Sequence, residues 1–501
     1  MFHTIEMENF KAFKNKTRVE FSNITVVSGE NSSGKSSVYQ VLLLFAQSLG
    51  IISGRSNIFK TPNAILNLNG NYINMGNRLE LRSDEGNPNL RFLIESSKKN
   101  TFEFIFRDSD YIKSNKSNEM GYHLLDFKYQ SDKDNLYFRY EESSDSYDIH
   151  GARMFYFEDA STFSKIKRNI EVGIEKSSLE ETEKEALLDE LDYDSLFLSD
   201  VSFRGVRKVR FREGLFLDSF SIDAENIKNI IVSKYVGFFS SKDFKEVLKK
   251  DIPLRVNHYE VYLLQDLGNS FQYIPAFRGA PRRVYTEGDN PNPLFQFIDI
   301  KDKLISYRKP DDGAELFEKA TVEEALTYWV CDFFKLGESI HIRELVEGYS
   351  TEIMLKKNGR LHPINQMGFG VSQVIPIIFK ILTAPHGSFT IIDEPEIHLH
   401  PKMQTLLANF FVEMSTIGKI MFIETHSETF LQKLINLQIE DPKLESVLKM
   451  YWIEFSKGTS ISRKVDFDSL GFFENTPEGF MDERKKLSAD LNKIRKQKMG
   501  I

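Results

Sequence analysis

Three largely apolar runs along the chain have the length and composition of buried strands. The first, Ile24–Val27, is followed by a stretch rich in glycine and serine and then by the apolar run Val38–Phe45. The other two, Phe389–Ile392 and Ile420–Ile423, each lead into charged residues. Short β-branched apolar runs predict buried strands, and the longer run predicts a helix. The pattern therefore indicates an α/β fold in which a strand, a polar loop and a helix follow one another.

The polar loop after the first strand has the spacing of a phosphate-binding loop. Gly29, Gly34, Lys35 and Ser36 match the pattern G-x-x-x-x-G-K-[ST]. In such a loop, backbone N–H groups point at the phosphates of a nucleotide, and the positive end of the next helix attracts the anion. We expect Lys35 to reach the β- and γ-phosphates and the Ser36 hydroxyl to hold Mg²⁺. The residues predicted to bind the nucleotide are Gly29, Asn31, Ser33, Gly34, Lys35, Ser36 and Ser37.

The second predicted strand ends in two carboxylates, Asp393 and Glu394. We expect this strand to lie beside the strand that leads into the loop. Asp393 would then orient the magnesium shell, and Glu394 would activate or position the attacking water. The alternative is a strand that ends in acidic residues without any function. The third strand leads to His426, which predicts a contact with the γ-phosphate, and the alternative is a surface histidine that is already hydrogen-bonded.

A turn with glycine and serine, Met367–Gln373, precedes the apolar helical run Val374–Leu382. The N-terminus of a helix with a flexible backbone is a second place for an anion to bind. Taken alone, this segment is also compatible with an ordinary loop. Together with the phosphate-binding loop, the acidic strand end and the histidine strand end, it forms an ordered set that chance explains poorly.

The two halves of this predicted site are far apart in sequence, which requires an insertion between them. We expect the first half of the core at residues 1–105 and the second half at residues 340–460, with a C-terminal extension at 461–501. The insertion would span residues 106–339.

Helical patterns within the insertion predict its architecture. They cover residues 178–191, about 225–250 and about 314–335, with a serine cap and early acidic residues in the first of them. Sustained heptads are absent from the sequence, which argues against a long coiled coil. We therefore expect a compact, mostly helical arm or dimerisation lobe with some strands.

The composition narrows the class of protein. Of the 501 residues, 41% are hydrophobic and 28% are charged, as in soluble proteins with large cores. The single cysteine, Cys331, excludes a disulfide framework and fits a reducing compartment. No stretch approaches the roughly 20 apolar residues of a membrane span. We expect a cytoplasmic protein without a membrane partner, and the net charge of -8 argues against a globally basic surface for nucleic acid.

Together, these segments resemble an ABC-type ATPase of the superfamily that includes the SMC, Rad50, RecF and OLD-like proteins. More narrowly, the chain resembles bacterial ATPases of the AAA-15/AAA-21 type with a DUF3696-like end, found in antiphage defence systems of the Septu, retron and PARIS kinds. The implied fold class is α/β, an ABC-type P-loop ATPase core split by a large, mostly helical insertion. The resemblance is carried by Met7–Phe13, Gly29–Ser37, Tyr273–Arg278, Pro281–Arg283, Gly368–Gln373, Asp393–Pro401, Glu424–Glu428 and Pro477–Glu483.

The resemblance implies ATP and Mg²⁺ as cofactors and a homodimer in which two chains sandwich ATP. Glu394 would be the catalytic carboxylate, His426 the switch histidine and Lys35 the third catalytic residue. Ser36 and Asp393 would hold the metal. Hydrolysis would then open the dimer. The residues that would contact the γ-phosphate bound by the other chain are Gly368, Gly370, Ser372 and Gln373.

Two departures from the family pattern leave questions open. The signature segment is GFGVSQ rather than LSGGQ, so the small residue that contacts phosphate is not determined. A Q-loop glutamine does not stand out either, and Asn69–Gly76 is the candidate region for that contact.

The implied function is that of an ATP-binding and ATP-hydrolysing subunit of a bacterial antiphage defence complex. Its dimer would regulate a separate nuclease or toxic effector. The alternative function is a RecF- or Rad50-like DNA-repair ATPase, and a scaffold that binds ATP without hydrolysis belongs to a different class. Basic residues alternate with apolar residues in Phe203–Arg212, a pattern that fits a strand contacting the phosphates of a nucleic acid. A half-exposed strand with a basic outer face is the simpler interpretation.

A second basic cluster, which includes Arg278, Arg282 and Arg283, lies within the segments that carry the resemblance. For this cluster a structural or nucleotide-sensing role competes with contact to nucleic acid.

Overall fold

The computed structural model describes most of the chain. The described residues are 2–48, 66–112, 121–193, 197–198, 201–203, 208–212, 216–222, 252–256, 271–278, 285–286, 300–307, 318–346, 350–482, 490–491 and 495, with gaps at 71, 85, 97–98, 133–134, 142–145, 153–154, 158–159, 469, 475–476 and 478. They fall into two units. The first comprises Met1–Arg18 and Gln40–Asp266, and the second comprises Val19–Tyr39 and Leu267–Ile501.

The secondary-structure elements are numbered in chain order. The helices are α1 (Lys35–Ser48), α2 (Ala160–Glu175), α3 (Glu181–Tyr193), α4 (Val322–Thr327), α5 (Phe369–Thr383), α6 (Pro401–Thr416) and α7 (Glu428–Glu440). The strands are β1 (Phe2–Glu8), β2 (Thr17–Glu20), β3 (Ile24–Gly29), β4 (Asn89–Ser96), β5 (Thr101–Asp108), β6 (Tyr122–Gln130), β7 (Asn135–Glu141), β8 (Ser146–Ala152), β9 (Phe155–Phe157), β10 (Phe197–Leu198), β11 (Val201–Phe203), β12 (Lys208–Arg212), β13 (Phe216–Ile222), β14 (Ile252–Val256), β15 (Phe271–Ile274), β16 (Tyr285–Thr286), β17 (Leu304–Tyr307), β18 (Glu318–Thr321), β19 (Ser339–Val346), β20 (Ser350–Lys357), β21 (Arg360–Pro363), β22 (Phe389–Asp393), β23 (Ile420–Glu424), β24 (Leu448–Ser456) and β25 (Thr459–Lys464).

The first unit is built around a sheet in which β11, β8, β7, β6, β5, β4 and β1 follow one another in space. These strands pair antiparallel. Along β4 and β5, buried and half-exposed residues alternate, as expected for a sheet with one face on a core. Phe45 of α1 packs on this face, with ring centroids 5.4 Å from Phe92 and 4.8 Å from Phe104. A second antiparallel sheet in this unit has the order β10-β9-β14-β13-β12.

The second unit contains a six-stranded sheet of order β15-β22-β23-β3-β24-β25. Its first five strands are parallel, and β25 pairs antiparallel with β24. Every residue of β3 and β23 is buried, which fits the apolar runs in the sequence because parallel strands are covered on both faces. The core also includes Ile378 of α5, Phe411 of α6 and Leu434 of α7. These contacts stabilise the alignment of the strands that bear the predicted site.

The position of β23 differs from the sequence-based expectation. We expected β22 to lie directly beside β3, but β23 lies between them and pairs in parallel with both. Local patterns identify each strand, whereas the order of strands depends on long-range pairing. The inserted strand brings its own last residue, Glu424, next to the loop that follows β3.

The predicted helical arm is not confirmed in the described part of residues 106–339, where most of the named elements are strands. The helix predicted at 178–191 is confirmed as α3. The pattern at about 225–250 lies outside the described residues, and that at 314–335 contains β18, the short α4 and a wide helical turn at Tyr328–Phe333. The domain boundaries predicted at residues 105 and 339 stay predictions. In the stretch that the structure covers, no helix is long and apolar enough to cross a membrane.

A buried lysine joins the end of α5 to the start of β23. Lys419 is only 4% exposed, and its ammonium donates to the carbonyl oxygens of Leu382, at 3.3 Å, and Ala384. A helix C-terminus carries unpaired carbonyls and partial negative charge, which favours a cation there. Burial lowers the pKa of Lys419 to about 8, with a smaller effect from the like charge of Lys303.

The lowered pKa of Lys419 predicts how stability changes with pH. The folded protein holds this proton less tightly than the unfolded chain, whose lysine pKa is 10.5. The cost of burying the charge is therefore complete below pH 8 and disappears as the pH rises to 10.5. Between pH 7.5 and 9.5 we expect the wild type to gain about 2 kcal/mol of unfolding free energy relative to Lys419→Met. Denaturant titrations of both proteins at the two pH values measure this difference.

The matched control is Lys402→Met, which replaces an exposed lysine of α6. The unfolding free energy of Lys402→Met should differ from that of the wild type by the same amount at both pH values. A constant difference for Lys419→Met as well would contradict the predicted effect of burial.

Candidate functional site

The predicted phosphate-binding loop connects β3 to α1. A Cβ on Gly29 would lie 2.1 Å from the carbonyl oxygen of Ile453 in β24, so only glycine fits the close pairing of the strands there. Gly34 has a φ of +95°, a conformation that side chains disfavour. The backbone N–H of Ser33 donates to the carbonyl oxygen of Glu30 at 3.3 Å, which closes the turn. Strand, loop and helix thus have the local arrangement of a P-loop.

The residues of this loop differ in exposure. Lys35 is 4% exposed, and its ammonium donates to the Glu30 carbonyl oxygen at 2.5 Å. Ser33 and Ser37 are also buried, and the Ser37 N–H donates to the Gly34 carbonyl oxygen at 3.0 Å. Asn31 is exposed. Burial of Lys35 lowers its pKa.

Glu424 faces the P-loop from the end of β23. The Ser36 hydroxyl donates to Glu424 Oε1 at 3.0 Å. Glu424 is 3% exposed, and its Oε2 atom is buried without a hydrogen-bond partner among the described residues. Burial, reinforced by the nearby charge of Asp393, raises the pKa of Glu424 to about 8. The sequence pattern alone does not predict a role for this residue.

Asp393 lies one strand further from the P-loop. The Tyr39 hydroxyl of α1 donates to Asp393 Oδ2 at 3.1 Å. Burial raises the pKa of Asp393, and it also raises that of Tyr273, to about 12. The Arg278 guanidinium donates to the backbone carbonyls of Asp393 and Glu394, at 3.2 and 2.8 Å. Burial lowers the pKa of Arg278 to about 10, and its two hydrogen bonds link the residues after β15 to the end of β22.

Glu394 and His426 lie together beyond the ends of β22 and β23. Glu394 Oε1 is 3.5 Å from His426 Nε2, and both side chains are about one third exposed. Glu394 has a φ of +41°, an uncommon conformation for a residue with a side chain. Burial and the charge of Lys35 lower the pKa of His426. The buried Glu396 accepts the backbone N–H of His426 at 2.7 Å and orients this turn.

The predicted signature segment begins α5. Gly368 is the N-cap residue, with a φ of +88° and open space where a Cβ would be. A Cβ on Gly370 would lie 2.7 Å from the carbonyl oxygen of His398, in the loop after β22. Ser372 and Gln373 are buried, and the Ser372 hydroxyl donates to the Phe369 carbonyl oxygen at 2.6 Å. Of the four predicted phosphate contacts, Gly368 is therefore the most accessible.

The structure brings several of the predicted residues together at one edge of the six-stranded sheet. Lys35, Ser36, Asp393, Glu394 and His426 come from three neighbouring parallel strands and the helix after β3. In contrast, the contacts described for Gly370 and Ser372 are with the loop after β22 and with α5 itself.

Tyr39 and Glu424 belong to the site, although the sequence pattern does not single them out. Tyr39 lies three positions after Ser36, the last residue of the phosphate-loop pattern, without a signal of its own. Glu424 is the last residue of an apolar strand, the same signal that identified Asp393, but it was included only in a larger motif. A rule that examined every acidic strand end would have selected both carboxylates.

The donor set fits a nucleotide with Mg²⁺. Lys35 and the N-terminus of α1 supply positive charge for phosphates. Hydroxyl and carboxylate oxygens of Ser36, Asp393 and Glu424 are the ligand types that Mg²⁺ prefers. Ligand atoms of Glu394, Glu424 and His426 also lie within 4.8 Å of one another. The buried, unpartnered Oε2 of Glu424 is the specific observation that favours a cation at this place.

Comparison with known proteins identifies the family. The chain belongs to the AAA ATPase domain family AAA_15, whose profile matches residues 1–431. This membership supports ATPase activity in general. A comparison with curated proteins found no match.

Solved structures of SMC head domains also resemble this chain. An SMC head bound to the C-winged helix domain of ScpA has a TM-score of 0.37 and 12% identity, covering 93% of this chain and 98% of its own. The SMC head domain from Thermotoga maritima has a TM-score of 0.33 and 10% identity, covering 93% and 99%. An Smc head domain with an extended coiled coil, bound to the C-terminal domain of ScpA derived from Pyrococcus furiosus, has a TM-score of 0.34 and 12% identity, covering 99% of both chains.

The close approach at Gly29 predicts the effect of a single methyl group. Gly29→Ala would place a Cβ 2.1 Å from the Ile453 carbonyl oxygen, which forces β3 and β24 apart. We expect a loss of about 2–3 kcal/mol in unfolding free energy. Chemical denaturation of the nucleotide-free protein measures this loss.

Gly86→Ala is the matched control, because the nearest atom to its added Cβ is Asp84 Oδ1 at 3.4 Å, an ordinary contact. This control should be close to wild type. Equal stability of Gly29→Ala and Gly86→Ala would refute the steric argument.

Proposed function

We propose that this protein binds ATP with Mg²⁺ at the P-loop and hydrolyses it. The observation that carries the proposal is the convergence of Lys35, Ser36, Asp393, Glu394 and His426 at one edge of a parallel sheet. Membership of the AAA ATPase domain family supports ATP as the nucleotide.

Each of these residues has a distinct task in the proposed reaction. Mg²⁺, when bound with the nucleotide, would draw negative charge from the phosphate oxygens. Lys35 would place its ammonium on the β- and γ-phosphates, and Ser36 would hold the metal together with a carboxylate at the ends of β22 and β23, for which Asp393 is the candidate that the sequence predicts. Glu394 would accept a proton from the attacking water through its carboxylate. The His426 imidazole, 3.5 Å from Glu394, would orient that carboxylate.

We propose further that two copies of the chain sandwich ATP. The exposed N-terminus of α5 supports this, because the backbone N–H groups of its first turn would contact the phosphate held by a second chain. Gly368 is exposed there, and Phe369 is 42% exposed beside it. The buried Ser372 and Gln373 would instead support the helix from within.

Glu394→Gln is expected to separate binding from hydrolysis. The amide keeps the size of the side chain but cannot accept the proton, so the rate of ATP hydrolysis should fall by about 10²–10⁴-fold. Affinity for ATP should remain within a few-fold of wild type. Phosphate release and calorimetry measure the two quantities, and light scattering should show a doubled mass for the variant with ATP.

Two variants serve as controls for Glu394→Gln. Lys35→Ala should lose ATP affinity, and Glu440→Gln, an exposed residue at the end of α7, should behave as wild type. Hydrolysis by Glu394→Gln at a rate within tenfold of wild type would exclude Glu394 as the base. A constant mass with and without ATP would refute the dimer.

At the level of biology, we propose that the protein is the ATPase subunit of a bacterial antiphage defence complex and controls a separate nuclease or toxic effector. The support is the resemblance carried by the P-loop, the signature segment and the segments after β22 and β23. In this role, the nucleotide state would set the conformation that the effector recognises.

A tagged pull-down from the native host tests this role. Wild type, Glu394→Gln and Lys35→Ala are compared at low salt with ATP and Mg²⁺, and bound proteins and nucleic acids are identified together. We expect a stoichiometric effector protein that is retained by Glu394→Gln and lost from Lys35→Ala. DNA retained without a protein partner would instead favour a DNA-repair ATPase.

A further inference from the structure

The sheet order places a third carboxylate closer to the P-loop than Asp393. In the register of the parallel strands, Glu424 is opposite Val27 of β3 on one side and Asp393 of β22 on the other. The strand that ends in Glu424 is therefore the immediate neighbour of the strand that leads into the loop.

Glu424 and Asp393 have different hydrogen-bond partners. The Ser36 hydroxyl, which is expected to hold Mg²⁺, donates to Glu424 Oε1 at 3.0 Å. Asp393 receives the Tyr39 hydroxyl at 3.1 Å and a backbone hydrogen bond from Ala276. The orientation of the serine hydroxyl is thus determined by Glu424.

The second carboxylate oxygen of Glu424, Oε2, is available to bind another group. The residue is 3% exposed, and Oε2 has no hydrogen-bond partner among the residues that the structure describes. A buried carboxylate oxygen without a partner costs free energy, and that cost is recovered when a cation or a donor reaches it. Lys35, the nearest cation of the loop, donates its described hydrogen bond to the Glu30 carbonyl oxygen.

The residues around Glu424 favour a divalent cation as the partner of Oε2. Ligand atoms of Glu394 and His426 lie within 4.8 Å of a Glu424 oxygen and of one another. Mg²⁺ in nucleotide sites is typically held by one or two carboxylates together with phosphate oxygens and water. A single carboxylate that both orients Ser36 and presents a free oxygen meets this requirement.

We propose that Glu424 is a ligand of the Mg²⁺ that accompanies the nucleotide and that it also positions the Ser36 hydroxyl as a ligand. Asp393, held by Tyr39, then acts at a greater distance from the metal. This inference rests on the proposed binding of ATP with Mg²⁺, and it concerns which carboxylate of this chain completes the site.

The test measures the magnesium dependence of nucleotide binding without hydrolysis. Affinity for a non-hydrolysable ATP analogue is determined by calorimetry with excess Mg²⁺ and again with EDTA, and the ratio is the gain due to the metal. The variants are Glu424→Gln, Asp393→Asn and the control Glu440→Gln. Glu424→Gln keeps the shape of the side chain but removes the charge.

We expect Glu424→Gln to reduce the gain due to Mg²⁺ by about 10–100-fold, with affinity in EDTA changed little. Asp393→Asn should reduce the gain less than Glu424→Gln, and Glu440→Gln should leave it unchanged. An undiminished gain in Glu424→Gln, or a larger loss in Asp393→Asn than in Glu424→Gln, would overturn the inference while leaving the proposed ATP binding intact. Failure of the wild type to bind the analogue at all would overturn both.

A second variant, Glu424→Asp, keeps the test decisive if Glu424→Gln does not fold. Glu424→Asp keeps the charge but withdraws the carboxylate from Ser36 by one methylene, so it should retain part of the gain due to Mg²⁺. Thermal unfolding without nucleotide establishes whether each variant is folded. If Glu424→Gln is unfolded, the folded Glu424→Asp variant decides the test. A gain due to Mg²⁺ equal to that of the wild type overturns the assignment, and a smaller gain supports it.

Discussion

The parallel pairing of β22, β23 and β3 is the constraint on which the candidate site depends. Because parallel strands run in the same direction, their carboxyl ends lie at the same edge of the sheet. The residues that follow each strand therefore meet at that edge. All residues of β3 and β23 are buried, and apolar residues of α5, α6 and α7 belong to the same core as these strands. A slip of one residue would turn each side chain to the opposite face, and Glu424 would no longer meet Ser36.

Burial of charge is the second feature that shapes this edge. Asp393, Glu396 and Glu424 all have raised pKa values because burial disfavours their charged forms. Lys35 and Arg278 are the cations beside them, and burial lowers the pKa of each. Such an arrangement costs stability in the free protein, and it favours a ligand that brings a divalent cation together with phosphates.

The success of the sequence-based predictions varied with the range of the interactions involved. The strand, loop and helix around Lys35 were predicted correctly because the pattern lies within one short segment. The same holds for α3, whose apolar spacing and acidic first turn are local. The mostly helical insertion was not confirmed, because a few helical patterns were given more weight than the alternating residues of strands such as β6 and β7.

The sequence by itself determined which residues follow each apolar strand and which glycines form the loop, since these depend on local backbone preferences. Only the tertiary structure decided which strands are neighbours. Because strand order results from pairing between distant segments, no local signal distinguished Glu424 from Asp393 as the partner of Ser36. The sequence indicated the chemical role of each residue, whereas the order of strands in the sheet determined which residues are partners.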